Sequence, residues 1–320
     1  MDRTDLVRTL LALLELKGVG PGSIRKNFAR IQAAGTSTDV LRAVTNDAVD
    51  DGVWQAAQDR AETYVQKCAE LEITPIAALD PLYPSSLLEL GTAPAVLFCR
   101  GNLSLLSDSI LGVIGTRTPN QFGETVAGRI GHFYTEADVR LCNGLADGID
   151  ICAAAPGGEF LSGVVGVMAC GLDLLEGRRT SGKITERANG LLAADGLLVS
   201  EFPPGAVEDQ NTVIASCRVQ AGLSQGLLLV QSSVDGGSRF AVGHFCKLQR
   251  SFAFIVPPEA QASETAFGAN QMILRGVDGL ASFVGLKTNK ALKADLLPIR
   301  SRDDYNAVIH SLGRASPALI

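Results

Sequence analysis

The sequence predicts an α/β protein, a mostly parallel sheet covered by helices on both faces, with a small all-helical domain ahead of it. Three observations carry that prediction. From residue 95 onward, short and continuously apolar runs alternate with amphipathic stretches of helix length, and strands without polar alternation belong to sheets buried on both sides. Several of those runs break into glycine-rich segments, the punctuation of strand-to-helix connections. Residues 1–71 differ, because their apolar residues recur mainly at helical spacing.

Composition bounds the function. With 320 residues, 46% of them apolar, the chain can bury a full core and divide into one large and one smaller domain. No apolar run approaches the ~20 residues of a membrane span, and the first thirty residues lack a basic-then-apolar leader. A soluble cytoplasmic protein with no membrane role is expected. The seven cysteines are odd in number and scattered through apolar runs, which suits buried reduced thiols better than a disulfide framework. His132, His244 and His310 form no helical pair with one another or with a cysteine, so a zinc site is not expected. The net charge of −6 excludes a generally basic coat for nucleic acid. Any polyanion must meet a local patch.

In chain order, leucines at helical spacing over residues 6–16 lead into Lys17-Gly-Val-Gly-Pro-Gly22, and a helical pattern resumes over 23–30. The arrangement resembles a helix-hairpin-helix element. Gly18 and Gly20 permit a tight turn that presents backbone amides near the second helix, while Arg25, Lys26 and Arg30 add positive charge suited to a phosphate. An ordinary helical hairpin packed on the main domain is the equal alternative. Residues 38–71 remain helical, with Trp54, Ala57 and Tyr64 on the apolar face, and complete a domain over 1–71. Strands are expected at 73–77, 95–99, 110–114, 139–142, 163–169, 196–200, 226–230 and 251–256, with helices at 182–194, 212–223 and 239–248 among the connections. They make a Rossmann-like domain over 72–285. Residues 286–320 are expected to be a tail with a helix near 303–312.

The richest stretch is 109–150, which reads as strand, glycine loop, helix, strand, glycine loop, helix. Such units gather loop amides and helix N-termini at the carboxyl ends of parallel strands, where phosphate groups bind most readily. Gly-x-Gly-x-x-Gly spacing is missing, so a dinucleotide is not specified. The candidates are Gly115, Thr116, Arg117 and Gly123 in the first loop and Asn143, Gly144 and Gly148 in the second. Arg117, on a strand-to-helix turn, is expected to project over the binding face. Arg178, Arg179, Lys183 and Arg187 form a second basic cluster, the last three spaced for one helical face that meets either phosphate or solvent. Asp147, Asp150 and Asp173 sit in the glycine loops, where carboxylates suit either acid–base or metal chemistry or the fixing of loops and capping of helices. Gly-x-Ser-x-Gly does not occur, so a serine hydrolase has no support.

A series of motifs runs in order through residues 80–280: Leu82-Tyr-Pro84, Ala93-Pro-Ala-Val-Leu-Phe98 with Gly101-Asn102, Val113-Ile-Gly-Thr-Arg117 with Phe122-Gly123, and Asn143-Gly-Leu-Ala-Asp-Gly-Ile-Asp150. They continue through Cys170-Gly-Leu-Asp173, Ser200-Glu201, Ala221-Gly-Leu-Ser224 and Gly268-Ala-Asn-Gln271 ahead of Gly276. The ordered set resembles the DNA-processing protein A (DprA/Smf) family. That resemblance implies a non-enzymatic, cofactor-free protein that binds single-stranded DNA at this face, forms a homodimer through its Rossmann-like domain, and hands DNA to a RecA-type recombinase. It further implies that Arg117 contacts a backbone phosphate, that amides around Gly115, residues 144–148 and Gly236, Gly237 and Ser238 line the groove, and that Arg218 is the second arginine of the family's Arg-Asn-Arg motif. Arginine forks suit phosphate oxygens, and glycines let the chain approach closely.

The chain departs from that pattern in four places. Ser216-Cys-Arg218 stands where the family has Arg-Asn-Arg, Ala153 to Ala155 replace a histidine, Gly236-Gly-Ser-Arg239 replaces Ser-Gly-Ser-Leu and adds the Arg239 cation, and Leu175-Glu-Gly-Arg-Arg179 replaces a Tyr-Pro. Pro156-Gly-Gly-Glu159 and Asp235-Gly-Gly-Ser238 resemble the glycine loop of nucleoside-monophosphate phosphoribohydrolases but complete neither its pattern nor its catalytic glutamate. Because a small ligand needs fewer cations than a strand, the lost arginine keeps an alternative open: a nucleotide-binding sensor or nucleotide-processing subunit on the same scaffold, in a defence system.

Overall fold

In the computed structural model, residues 1–45, 49–106, 109–173 and 182–313 are described. The N-terminal region forms helices α1 (Arg3–Leu14), α2 (Pro21–Lys26), α3 (Phe28–Ala33), α4 (Ser37–Val44) and α5 (Asp51–Glu70). Short polar side chains start three of them: Asp2 accepts from the Asp5 amide, Thr36 from Asp39, and Asp50 from Gly52 and Val53. The stretch expected as one helix over 23–30 is broken at Asn27, which ends α2 and begins α3. α1 and α5 are joined by the Arg60–Glu15 pair at 2.7 Å and by the Tyr64 hydroxyl, which donates to Glu15 at 3.1 Å. Their buried face, including Leu10, Leu13, Ala57 and Ala61, runs on without a break into the side chains beneath the sheet, such as Ala77 and Phe98.

The expected apolar runs all become strands: β1 (Thr74–Ala77), β2 (Val96–Gly101), β3 (Ile110–Ile114), β4 (Arg140–Asn143), β5 (Val164–Val167), β6 (Leu197–Ser200), β7 (Gly226–Leu229) and β8 (Ser251–Ile255). A further strand, β9 (Asp295–Ile299), pairs in parallel with β8. Sheet order is β1-β2-β6-β5-β4-β3-β7-β8-β9, with β1/β2 and β2/β6 antiparallel and every other pairing parallel. The helices that follow the N-terminal region are α6 (Ser85–Leu88), α7 (Gln121–Glu136), α8 (Ile149–Ala154), α9 (Gly182–Ala193), α10 (Gln210–Leu223), α11 (Ser238–Phe245), α12 (Gly268–Ile273), α13 (Val277–Phe283) and α14 (Tyr305–Leu312).

Strand periodicity divides them between the faces. Ile110 packs with Val219 and Leu223 of α10, whereas Leu111 and Val113 pack with Ala127 and Ile130 of α7 and Ala153 of α8. The mixed, mostly parallel sheet with helices on both sides agrees with the predicted class.

The segment after 285 departs from the expected tail. It supplies β9, and α14 buries Tyr305, Val308 and Leu312 against the sheet region. Pro298 in the middle of β9 disguised the strand, since proline cannot donate to a ladder. Such a strand is tolerated at a sheet edge, where β9 lies. The cysteines are free, with Cys152 and Cys217 half-buried and the others buried.

Candidate functional site

The sheet is wound in two directions from its middle. From β3 the chain proceeds through β4 and β5 to β6, while β7, on the other side of β3, leads out to β8 and β9. Loops leaving β3 and β7 therefore diverge, and a crevice opens at the carboxyl ends of the strands. The structure has a cleft of about 530 Å³ there, bounded by the loops after β3 and β4, the end of β5, and helices α9, α10 and α11.

The loop after β3 is fixed from below. The Thr116 amide donates to the Gln231 carbonyl at 2.7 Å, and the Asn120 amide donates to the Gln231 side chain at 3.0 Å. Asn120 in turn accepts from the Gly123 amide at 2.9 Å and caps α7, so Gly123 is a buried framework residue rather than a lining one. Gly115, Thr116 and Arg117 line the cleft. Arg117 is exposed and makes no hydrogen bond or salt bridge among the described residues.

The loop after β4 is built around two buried side chains. Asn143 donates to the Asp150 carbonyl at 2.9 Å and accepts from the Leu145 amide at 3.0 Å, which removes it from the cleft surface. Asp150 accepts from the amides of Gly144 at 3.0 Å and Ala146 at 3.4 Å. Burial pushes its carboxyl up to about 7, opposed by those two amides and by the charges of Arg117 and Arg187. Gly148 joins the two loops: its φ is +81°, a Cβ there would run into the Thr116 carbonyl, and the adjacent Ile149 amide donates to that carbonyl at 3.1 Å. Gly144 lines the cleft, while Gly148 shapes it.

The second basic cluster is partly neutralised. Arg187 donates to the Leu145 carbonyl at 2.9 Å and pairs with Asp147, and the Lys183 ammonium lies 4.0 Å from the same carboxylate. The Arg187 hydrogen bond and charge, then Lys183, hold Asp147 below the usual carboxylate range. Lys183 and Arg187 line the cleft; Arg179 lies outside the described residues, as does Arg178.

The α10 wall corrects one expectation. Ser216, Cys217 and Gln220 line the cleft, but Arg218 does not. Its guanidinium donates to the Thr92 carbonyl and pairs with Glu201, both side chains being largely buried. At about 100° per residue, position 218 falls on the part of α10 turned toward Thr92 and Glu201. Burial raises the Glu201 carboxyl, and the charge and hydrogen bond of Arg218 pull it back. The Cys217 thiol donates to the Val213 carbonyl at 3.4 Å. Burial pushes that thiol up to about 11, which keeps it protonated and unreactive.

Gly236, Gly237 and Ser238 line the remaining side, where α11 begins without a side-chain cap. The amides of Gly237 and Ser238 carry no hydrogen bond among the described residues. Ser238 is positioned by the Ser232 hydroxyl at 2.7 Å. Arg239 does not line the cleft: its guanidinium sits 5.0 Å over the Phe240 ring and donates to the Asp235 carbonyl at 3.3 Å.

The N-terminal hairpin lies apart from the cleft. Gly18 has φ +84° and Gly20 is the first cap of α2, as the turn chemistry requires. Yet α2 has only six residues, and Arg25 donates to the Leu90 carbonyl, so this cation docks the hairpin against the loop between α6 and β2. Lys26 is exposed, and neither it nor the two glycines line the cleft.

Sequence reasoning missed Gln220 and the apolar end formed by Val167, Met168, Ile184, Val213 and Ile214. Gln220 did leave a signal, a lone carboxamide within Val219-Gln-Ala-Gly-Leu223. Among the described residues, no group of three or more His, Cys, Asp or Glu side chains is placed to hold a metal ion.

A doubly wound sheet with amide-rich loops and a free arginine at its switch point defines a Rossmann-like protein with an anion-receptive cleft. The family model for DNA recombination-mediator protein A matches residues 74–287, and the chain belongs to that family. It is 27% identical over 207 residues to protein Smf of Synechocystis, covering 63% of this chain and 50% of that protein. It is 26% identical over 246 residues to DNA processing protein DprA of Bacillus subtilis, covering 74% and 80%. With the Streptococcus pneumoniae DprA the figures are 29% over 160 residues, 50% and 55%, so the chain spans about half the length of two of these relatives. The X-ray structure of the S. pneumoniae protein superposes with a TM-score of 0.70 at 21% identity, covering 96% of this chain and 98% of that one. A DprA structure from Helicobacter pylori, described for its single-stranded DNA binding mode, gives 0.57 at 18% identity, covering 78% and 99%. These two likenesses show the fold.

Proposed function

We propose that this chain binds single-stranded DNA along its switch-point cleft and acts as a recombination mediator with no catalytic step of its own. One observation carries the reading: the exposed, uncommitted Arg117 guanidinium shares a cleft with the unpaired amides of Gly237 and Ser238. Together they offer a charge-assisted fork and backbone donors to consecutive phosphate oxygens, a backbone readout indifferent to base sequence. Family membership and the names of the relatives support the same reading. Among the described residues no helix is long and apolar enough to cross a membrane, which fits action in the cytoplasm. The finer parts of the proposal are a homodimer formed through the Rossmann-like region and delivery of the strand to a RecA-type recombinase.

Titration of a fluorescent oligo-dT tests the central claim. Binding is expected at low salt, weakening as salt rises with a slope of about −0.7 per phosphate neutralised. Absence of binding at low salt would remove the proposal. Sedimentation analysis checks the dimer, and recombinase filament assembly on single-stranded DNA with and without the protein checks the delivery step.

A further inference from the structure

The cleft changes character along its length. Near β7 and β3 it offers Gly115, Thr116, Arg117 and the amides of residues 236–238, whereas near β5 it is walled by Val167, Met168, Ile184, Val213 and Ile214. Three strand spacings of ~4.8 Å separate β7 from β5, about 14 Å in all. Between the two ends, packed beside Gly144, lies the Gln220 side chain. It is 7% exposed, lines the cleft, and its carboxamide has no hydrogen-bond partner among the described residues. An amide that lines a cleft with no internal partner is left to water or a ligand, and this one presents both a donor and an acceptor.

Charge leaves room for a short ligand as well as a strand. Among the described lining cations, Lys183 and Arg187 are engaged by Asp147, whereas Arg117 is uncommitted. One uncommitted guanidinium suffices for a ligand carrying a single phosphate. The volume of about 530 Å³ lies in the ~300–1,000 Å³ range of small-molecule sites.

We propose that the cleft also accepts a free nucleoside 5′-monophosphate, its phosphate on Arg117 and the amides of Gly237 and Ser238, its base between Ile184 and Val213, and the base edge on the Gln220 carboxamide. The proposal rests on the reading that this cleft takes nucleotide phosphates. It makes the free nucleotide a competitor of the strand, so that binding of one reports the level of the other.

Isothermal titration of the full chain with the four ribonucleoside 5′-monophosphates, ribose 5-phosphate and inorganic phosphate tests it. At least one nucleotide should bind tenfold or more tightly than ribose 5-phosphate and displace a labelled oligonucleotide. Gln220→Leu should erase that margin while leaving ribose 5-phosphate affinity unchanged, with folding verified by circular dichroism. Gln220→Glu, which keeps the shape and the acceptor but loses the donor, should change the order of preference among the four bases. Equal affinity for nucleotides and ribose 5-phosphate overturns the proposal, as does a folded Gln220→Leu that keeps the margin. Oligonucleotide binding measured separately distinguishes the two readings: a chain that binds oligo-dT but no mononucleotide loses only this proposal, and one that binds mononucleotides but no oligo-dT loses only the strand reading.

Discussion

The loops after β3 and β4 and the helix α10 face the same cleft but use arginine in opposite ways. In the loop, Arg117 stands exposed with no partner among the described residues, because the backbone beneath it is held by Gln231 and Ile149 and leaves the side chain nothing to do internally. On α10, Arg218 is taken up by Thr92 and Glu201 and ties three segments of the fold together. By the family resemblance, both residues are expected to serve the same ligand. The difference teaches that a motif specifies a residue type at a position, whereas its availability depends on whether nearby carboxylates and carbonyls claim it first.

The largest effect expected from this contrast is on stability. Glu201→Ala removes the partner of a guanidinium whose side chain is 14% exposed. Loss of one member of a buried pair costs about 3–5 kcal/mol, and the residual exposure places this site toward the lower end. Urea unfolding should show that loss, and the double change Glu201→Ala, Arg218→Met should recover part of it. A Glu201→Ala loss below about 1 kcal/mol would show that Arg218 is free to serve a ligand, and the contrast between the two walls would collapse.

Next comes ligand affinity. Arg117→Ala should weaken oligonucleotide binding by about 1.5–3 kcal/mol, the worth of a charge-assisted hydrogen bond, and reduce the magnitude of the salt slope by about 0.7. Its melting temperature should stay that of the parent, since Arg117 makes no internal bond among the described residues. Arg218→Met should give the converse, lower stability with unchanged affinity of the folded protein. Equal affinity losses in both variants would mean that α10 contributes to binding as the loops do.

How much of this was readable beforehand follows from the same physics. Short apolar runs, several of them breaking into glycine-rich segments, located the first eight strands, and local turn chemistry located the two loops. Gly115 and Gly144 proved to be lining residues for that reason. Arg218 and Arg25 could not be placed from sequence, because their partners, Glu201 with Thr92 and the Leu90 carbonyl, are distant in the chain and reach them only through tertiary packing. β9 was hidden by Pro298, and the apolar end of the cleft was hidden by its ordinariness, since Met168 or Ile214 in a core looks the same as at a binding surface.

The smallest expected effect concerns what holds the loop wall rigid. Asp150 is buried with its carboxyl raised to about 7, while an unfolded aspartate titrates near 3.8. The folded state therefore binds more protons than the unfolded state between those values, and the stability linked to this group is fully present below the lower one and is lost as pH rises through the upper. Across pH 6 to 8 the loss amounts to about 1.4 kcal/mol, one pH unit's worth of a single proton. Asp150→Asn preserves an oxygen to accept from the Gly144 and Ala146 amides but carries no titrating proton. Melting curves should place the Asn variant close to the parent near pH 3 and increasingly above it as pH rises toward 8.5. If parent and variant instead fall in parallel with pH, the loop is held by an ionised Asp150 balanced against Arg117 and Arg187. Arg117 would then be partly committed after all, and its contrast with Arg218 would be one of degree.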